Sequence, residues 1–188
     1  LGVFLIIIGQ CKPYIRGFIF VPLKIKIMEN YKTPEQTKIG HVHLKVSNLD
    51  KALSFYRDLL GLEVTQYFGE DAVFLSAGGY HHHIALNTWY SKDAPKASPN
   101  TVGLYHVAFL YPTRRDLALI VKRLKDNGYP IIGGTDHGGS EAIYLTDPDG
   151  NGVELYWDRP KEQWPRAESG NLMMYNGFLD IEMLLKEI

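Results

Sequence analysis

From residue 38 onward the sequence spells one order of elements twice, and this repeat restricts the fold more than any single motif does. "KIGHVHLKVSNLDKALSFYRDLLGLEVTQY" opens with a β-rich run, Ile39 to Val46. Asn48 follows as a helix cap, and then a helix with Leu49, Ala52, Leu53, Tyr56, Leu59 and Leu60 on one face. Gly61 stops that helix, and strand-like runs follow at Glu63 to Phe68, Ala72 to Ser76 and His82 to Thr88. "GLYHVAFLYPTRRDLALIVKRLKDNGYPI" repeats the strand, the cap (Thr113), the helix and the stopping glycine (Gly128). "EAIYLTDPDG" and "NGVELYW" then supply the last two strands around a Pro-Asp-Gly turn. His41 aligns with His106, and Ala85 in "HIALNT" aligns with Glu154 in "GVELYW".

A βαβββ unit has one helix for two sheet faces, so its uncovered face needs a partner. The repeat therefore predicts an α+β fold of two paired modules, about 38–89 and 102–158, curved around a shared pocket within a domain spanning 38–160. The tail, 161–188, carries "GFLDIEMLLKEI", where Phe178, Ile181, Leu184, Leu185 and Ile188 predict a short amphipathic helix after Asp180. That stripe suits packing on its own sheet or contact between subunits of a homo-oligomer. "DRPKEQWPR", Asp158 to Arg166, is a polar, proline-bounded segment able to fold across the pocket mouth or to end the domain.

Residues 1–37 read as an N-terminal extension. "LGVFLIIIGQCKPYIRGFIFVPLKIKI" has an apolar run broken by Gln10, Lys12 and Pro13, too short and interrupted for a membrane span. It lacks the basic start and small-residue cleavage site of a signal peptide. Met28 opens a polar stretch like a soluble protein's start, so residues 1–27 are expected to lie upstream of the natural start or to form a nonessential arm. A membrane-associating segment and a packed strand or helix are the competing readings; no stable membrane partner is expected. The 20 basic and 21 acidic side chains leave a formal charge of −1, without the electrostatic footprint of a nucleic-acid binder. One cysteine, Cys11, leaves no internal disulfide framework and suits a reducing, cytoplasmic compartment.

The first and last strands of each unit are where inward side chains would meet, and the matching positions are His41, Ala85, His106 and Glu154. Three of these four bind metals. Two imidazoles and one carboxylate on one side of an ion leave other positions open, a donor set suited to Fe(II) and compatible with Mn(II), Zn(II), Ni(II) or Co(II). A strand histidine alone is more often structural. The placement of these three at corresponding repeat positions is the stronger sign, and the carboxylate in "VELYW" adds to it, because its burial without a compensating charge is costly.

"HVHLKVSNLDKALSFYRDLLGLEV", "LYHVAF" and "YLTDPDGNGVELYW" resemble the vicinal oxygen chelate superfamily, which includes glyoxalase I, extradiol dioxygenases, methylmalonyl-CoA epimerase and antibiotic-resistance proteins. The likeness covers about residues 38–160 and is more specific for fold than for reaction. It implies His41, His106 and Glu154 as metal ligands. Glyoxalase I-like enzymes add a fourth ligand at the Ala85 position, so its replacement here argues against ordinary glyoxalase chemistry. Extradiol dioxygenases place an acid/base histidine shortly before that position. In "GGYHHHIALNTW" the family register selects His82, with His83 beside it, whereas strand alternation from Ala85 aims His83 and His81 inward. Tyr144 matches a tyrosine that hydrogen-bonds the catecholate or the ligand carboxylate, and His137 in "GGTDHGGSEAIY" a further active-site histidine.

The resemblance thus implies an extradiol ring-cleaving dioxygenase acting on a small aromatic diol with dioxygen and Fe(II). The familiar extradiol enzymes have four modules where this chain has two. A glyoxalase-like metal-dependent lyase or isomerase, and a non-catalytic small-molecule binder, are the alternatives.

Overall fold

The computed structural model describes residues 31–188, so the expectations for residues 1–27 lie outside the described residues. The chain divides into Leu1–Lys38 and Ile39–Ile188. In the described part of the first unit, Thr37 N–H closes a turn on the Pro34 carbonyl.

The second unit is α+β, with two sheets and few helices. In the first sheet, β1 (Val42–Lys45), β2 (Glu63–Phe68), β3 (Ala72–Ser76) and β4 (Ile84–Asn87) take the order β1-β4-β3-β2. In the second, β5 (His106–Leu110), β6 (Gly133–Asp136), β7 (Ser140–Thr146), β8 (Gly152–Asp158) and β9 (Gly177–Phe178) take the order β5-β8-β7-β6-β9. The copies share a register. β1 runs parallel to β4 with His43 opposite Ala85, and β5 runs parallel to β8 with Ala108 opposite Glu154. Ala85 and Glu154 are thus equivalent in space as well as in sequence. Gly152 allows β8 to lie this close to β5, because a Cβ there would sit 2.0 Å from the Tyr105 carbonyl oxygen.

The helices start where the caps stand. Asn48 accepts from Lys51 N–H at the start of α1 (Leu49–Leu53), and Thr113 accepts from Asp116 N–H at the start of α2 (Arg114–Asp126). Helix α1 is α-helical over Leu49–Leu53 and widens to a π-helical stretch over Ser54–Leu59, which periodicity alone did not foresee. Both helices bury their apolar faces in one core with Phe55, Leu117, Leu124, Ile143 and Leu155. Across it the Tyr56 hydroxyl donates to Asp147 Oδ2 at 3.0 Å. Asp147 also accepts from the backbone N–H groups of Asp149 and Asn151, so the Pro-Asp-Gly turn closes on a satisfied carboxylate.

Three element boundaries differ from expectation. The first strand is shorter than Ile39–Val46, and Ile39 lies exposed before it. The fourth is regular from Ile84 rather than His82: His83 still pairs, its N–H donating to the Leu75 carbonyl and its carbonyl accepting from Val42 N–H, whereas His81 and His82 form the bend before it. Asp180 caps α3 (Ile181–Leu184) and Leu184 is buried, but Phe178 lies in β9, 87% exposed, rather than on the helix. Its backbone is taken by pairing with Thr135, which leaves the ring outside.

Candidate functional site

Along β1 and β5 side chains alternate between faces. Leu44 and Val107 are buried, whereas His43 and Lys45 on β1, with His41 just before it, and His106, Ala108 and Leu110 on β5 are open to solvent to different degrees. The candidate residues stand on these uncovered faces in two groups.

On the second sheet, His106 Nε2 lies 2.9 Å from Glu154 Oε2. Glu154 Oε1 accepts from the Tyr144 hydroxyl at 3.3 Å, and that hydroxyl is 2.8 Å from His137 Nε2. β7 and β8 supply the spacing, since Tyr144 pairs directly with Glu154. Burial and the neighbouring Glu154 carboxylate push the Tyr144 phenol up to about 12, so it stays a hydroxyl and a donor at neutral pH. Four expected residues therefore form one connected chain: His106, Glu154, Tyr144 and His137.

On the first sheet, His41 and His82 face each other with ring centroids 4.3 Å apart, and Phe74 packs edge-on to His82 at 5.0 Å. Burial, then the nearby His41 and His81, hold His82 below its ordinary value, favouring the neutral base. His83 turns elsewhere. Its Nδ1 lies 3.0 Å from Ser76 Oγ and 3.3 Å from the Ala77 backbone nitrogen. His81 Nδ1 is 2.7 Å from His82 Nδ1, so one of the two rings donates to the other.

Among the described residues, no three His, Cys, Asp or Glu side chains stand together in a group able to hold a metal ion. His106 and Glu154 do offer two donors of the right chemistry. The buried Nδ1 of His106 has no hydrogen-bond partner. A divalent cation would take the place of the proton between Nε2 and the carboxylate, and these two residues fit it. His41, the third expected ligand, is beside His82 and not in a three-residue group with this pair.

A cleft of ≈ 1160 Å³ opens beside the second group, lined by Lys45, Lys96, Tyr105, His106, His137 and Tyr144 among others. It is roomy enough for a small aromatic molecule. Sequence reasoning missed the residues that hold His137: Arg159, Asp136 and the backbone carbonyl of Tyr175. The glycine pair after His137 was the visible sign of close backbone contact, but no local pattern names what approaches it.

Paired βαβββ units with a histidine–carboxylate pair on their open face define a protein of the vicinal oxygen chelate type. Over residues 38–155 the sequence matches the Glyoxalase/Bleomycin resistance protein/Dioxygenase superfamily, and the chain belongs to it. Catechol-2,3-dioxygenase of Bacillus subtilis (strain 168) is 39% identical over 157 residues, 81% of this chain and 53% of that protein. Biphenyl-2,3-diol 1,2-dioxygenase 3 of Rhodococcus globerulus is 36% identical over 121 residues, 64% of this chain and 63% of that one. The chain thus spans about half to three fifths of the length of these relatives. In fold it is similar to lactoylglutathione lyase from Agrobacterium tumefaciens, with TM-score 0.52 and 26% identity over 67% of this chain and 96% of that one. No helix among the described residues is long and apolar enough to cross a membrane.

Proposed function

We propose that this chain is a metal-dependent extradiol dioxygenase whose substrates are a catechol-type diol and dioxygen, working in the cytoplasm. The observation that carries the reading is the connected set His106, Glu154, Tyr144 and His137, in which a neutral phenol and an imidazole back a carboxylate. The dioxygenase relatives support the same chemistry.

In this reading His106 and Glu154, with His41 as third donor, hold the cation, which we assign as Fe(II). The same donors also suit Mn(II), Zn(II), Ni(II) and Co(II). When bound, the cation supplies a centre on which two adjacent diol oxygens and dioxygen can meet. His82, neutral and next to His41, accepts a hydroxyl proton from the diol and later returns it. His137 orients Tyr144, whose neutral phenol stands beside the Glu154 carboxylate at the edge of the cleft. Tyr105 and Tyr144 give the cleft aromatic walls for the ring.

His41 must join the pair, and the open faces of both sheets give it a route. The first module of a second copy, laid on the second module of this chain, would cover both faces and bring His41 and His82 to His106 and Glu154. We therefore read the working form as a homodimer.

Oxygen uptake by protein loaded anaerobically with Fe(II) tests the activity on alkyl-, aryl- and carboxyl-substituted catechols. Uptake of one dioxygen per diol with a yellow ring-opened product is expected. Unchanged catechols together with conversion of the methylglyoxal–glutathione hemithioacetal would replace this reading with isomerase chemistry.

A further inference from the structure

The turn that carries His137 is gripped by the chain that follows the last long strand. Arg159 donates from Nη1 to Asp136 Oδ1 at 2.6 Å and to the Gly138 carbonyl at 3.0 Å. From Nη2 it donates to Asp136 Oδ2 at 3.0 Å and to Glu141 Oε1 at 2.7 Å. Trp164 Nε1 donates to the Arg159 carbonyl at 2.7 Å, and its indole packs on Gly139. Gly138 has φ +80°, and a Cβ there would lie 2.7 Å from both Pro165 Cγ and the Tyr175 ring. The bare Gly138 is what lets Pro165 and Tyr175 lie directly on the turn, while Trp164 rests beside Gly139 at ordinary contact distance. Past Tyr175 the chain is fixed again, by β9 pairing with β6.

This grip delivers one specific contact. The Tyr175 carbonyl oxygen lies 3.0 Å from His137 Nδ1. A carbonyl only accepts, so Nδ1 must carry the hydrogen. In the neutral ring Nε2 is then an acceptor, and it faces the Tyr144 hydroxyl at 2.8 Å. That hydroxyl has one hydrogen and two candidate acceptors, His137 Nε2 and Glu154 Oε1, the second more distant at 3.3 Å. Turning His137 Nε2 toward Tyr144 draws the phenolic hydrogen to the imidazole and leaves both Glu154 oxygens as acceptors.

We propose that the segment from Arg159 to Gly177 is a positioning device for His137, holding it as the Nδ1–H tautomer with Nε2 on Tyr144. Arg159 and Tyr175 are its positioning residues. Its catalytic consequence rests on the dioxygenase reading, whereas the tautomer does not.

The test is long-range ¹H–¹⁵N NMR of the full-length, metal-free protein, well above the ordinary histidine pKa. The unaltered protein is expected to show His137 as Nδ1–H. Tyr175→Ala and Arg159→Met are expected to move it toward Nε2–H, with Arg159→Lys giving at most partial rescue because it lacks the fork. In the Fe(II)-loaded oxygenation assay the first two variants are expected to lose about 10- to 100-fold in kcat with KM little changed. An Nε2–H ring in the unaltered protein, or variants that keep Nδ1–H, overturns the proposal even if the protein proves to be no dioxygenase. A shifted tautomer with unchanged kcat overturns the role in the reaction.

Discussion

At the scale of the residue, the histidine triplet divides its labour by geometry. The family register aims His82 at the site, and strand alternation from Ala85 aims His83 and His81. Strand pairing continues through His83, whose backbone bonds Leu75 and Val42, so alternation fails only at the bend of His81 and His82 that leaves His82 beside His41. His82 lies against His41 with the rings tilted by 49°, while His83 is tied to Ser76. His82→Gln should therefore slow catechol cleavage by about 10²- to 10⁴-fold, the scale of lost acid/base catalysis. His83→Gln should be milder, as steady-state kinetics of both variants would show; the reverse ranking would assign the proton transfer to His83. Asp136 makes a second prediction. The Arg159 guanidinium holds its carboxyl below the ordinary value, so the folded form binds that proton less tightly than the unfolded form does. The stabilisation is complete above the ordinary aspartate pKa of about 3.9 and is lost as pH falls through the lower folded value. Urea unfolding of Asp136→Asn should show a deficit of about 1.5–3 kcal/mol at neutral pH, shrinking toward zero in acid. A deficit independent of pH would show that the ion pair is not its cause.

At the scale of the element, caps and stops were legible because they are local. Asn48 and Thr113 accept from the N–H three residues on, and Gly61 and Gly128 take positive φ where the helices end. The π-helical stretch Ser54–Leu59 was not legible, since it answers to packing from outside the helix. There Arg123 of α2 donates to the carbonyls of Leu59 and Asp58, and Tyr56 reaches Asp147. Tyr56→Phe removes that buried donor while Asn151 and two backbone N–H groups still serve the carboxylate. Chemical unfolding should register a loss of about 1 kcal/mol with the activity intact. A much larger loss would mean that the hydroxyl holds the π-helical turn itself. β9 was illegible for a similar reason: a two-residue strand exists only because β6 offers it an edge.

At the scale of the whole molecule, the repeat made the α+β architecture and the equivalence of Ala85 and Glu154 readable, because each module's hydrophobic pattern is complete in itself. How the two open faces meet is not written in either pattern, and there the expected ligand set is divided between His41 with His82 and His106 with Glu154. If a second copy joins the halves, His41→Ala and Glu154→Ala chains should each fail to bind the ion but recover up to one site per dimer when refolded together. No recovery, with the unaltered protein monomeric at assay concentration, would require His41 to arrive by movement within one chain. The most direct test of the central claim is mass spectrometry of the product formed by Fe(II)-loaded protein from a catechol under ¹⁸O₂. Extradiol cleavage opens the ring beside the diol and leaves both labelled atoms in the one product molecule. A product without label, or a catechol left intact by fully metallated protein, would contradict it.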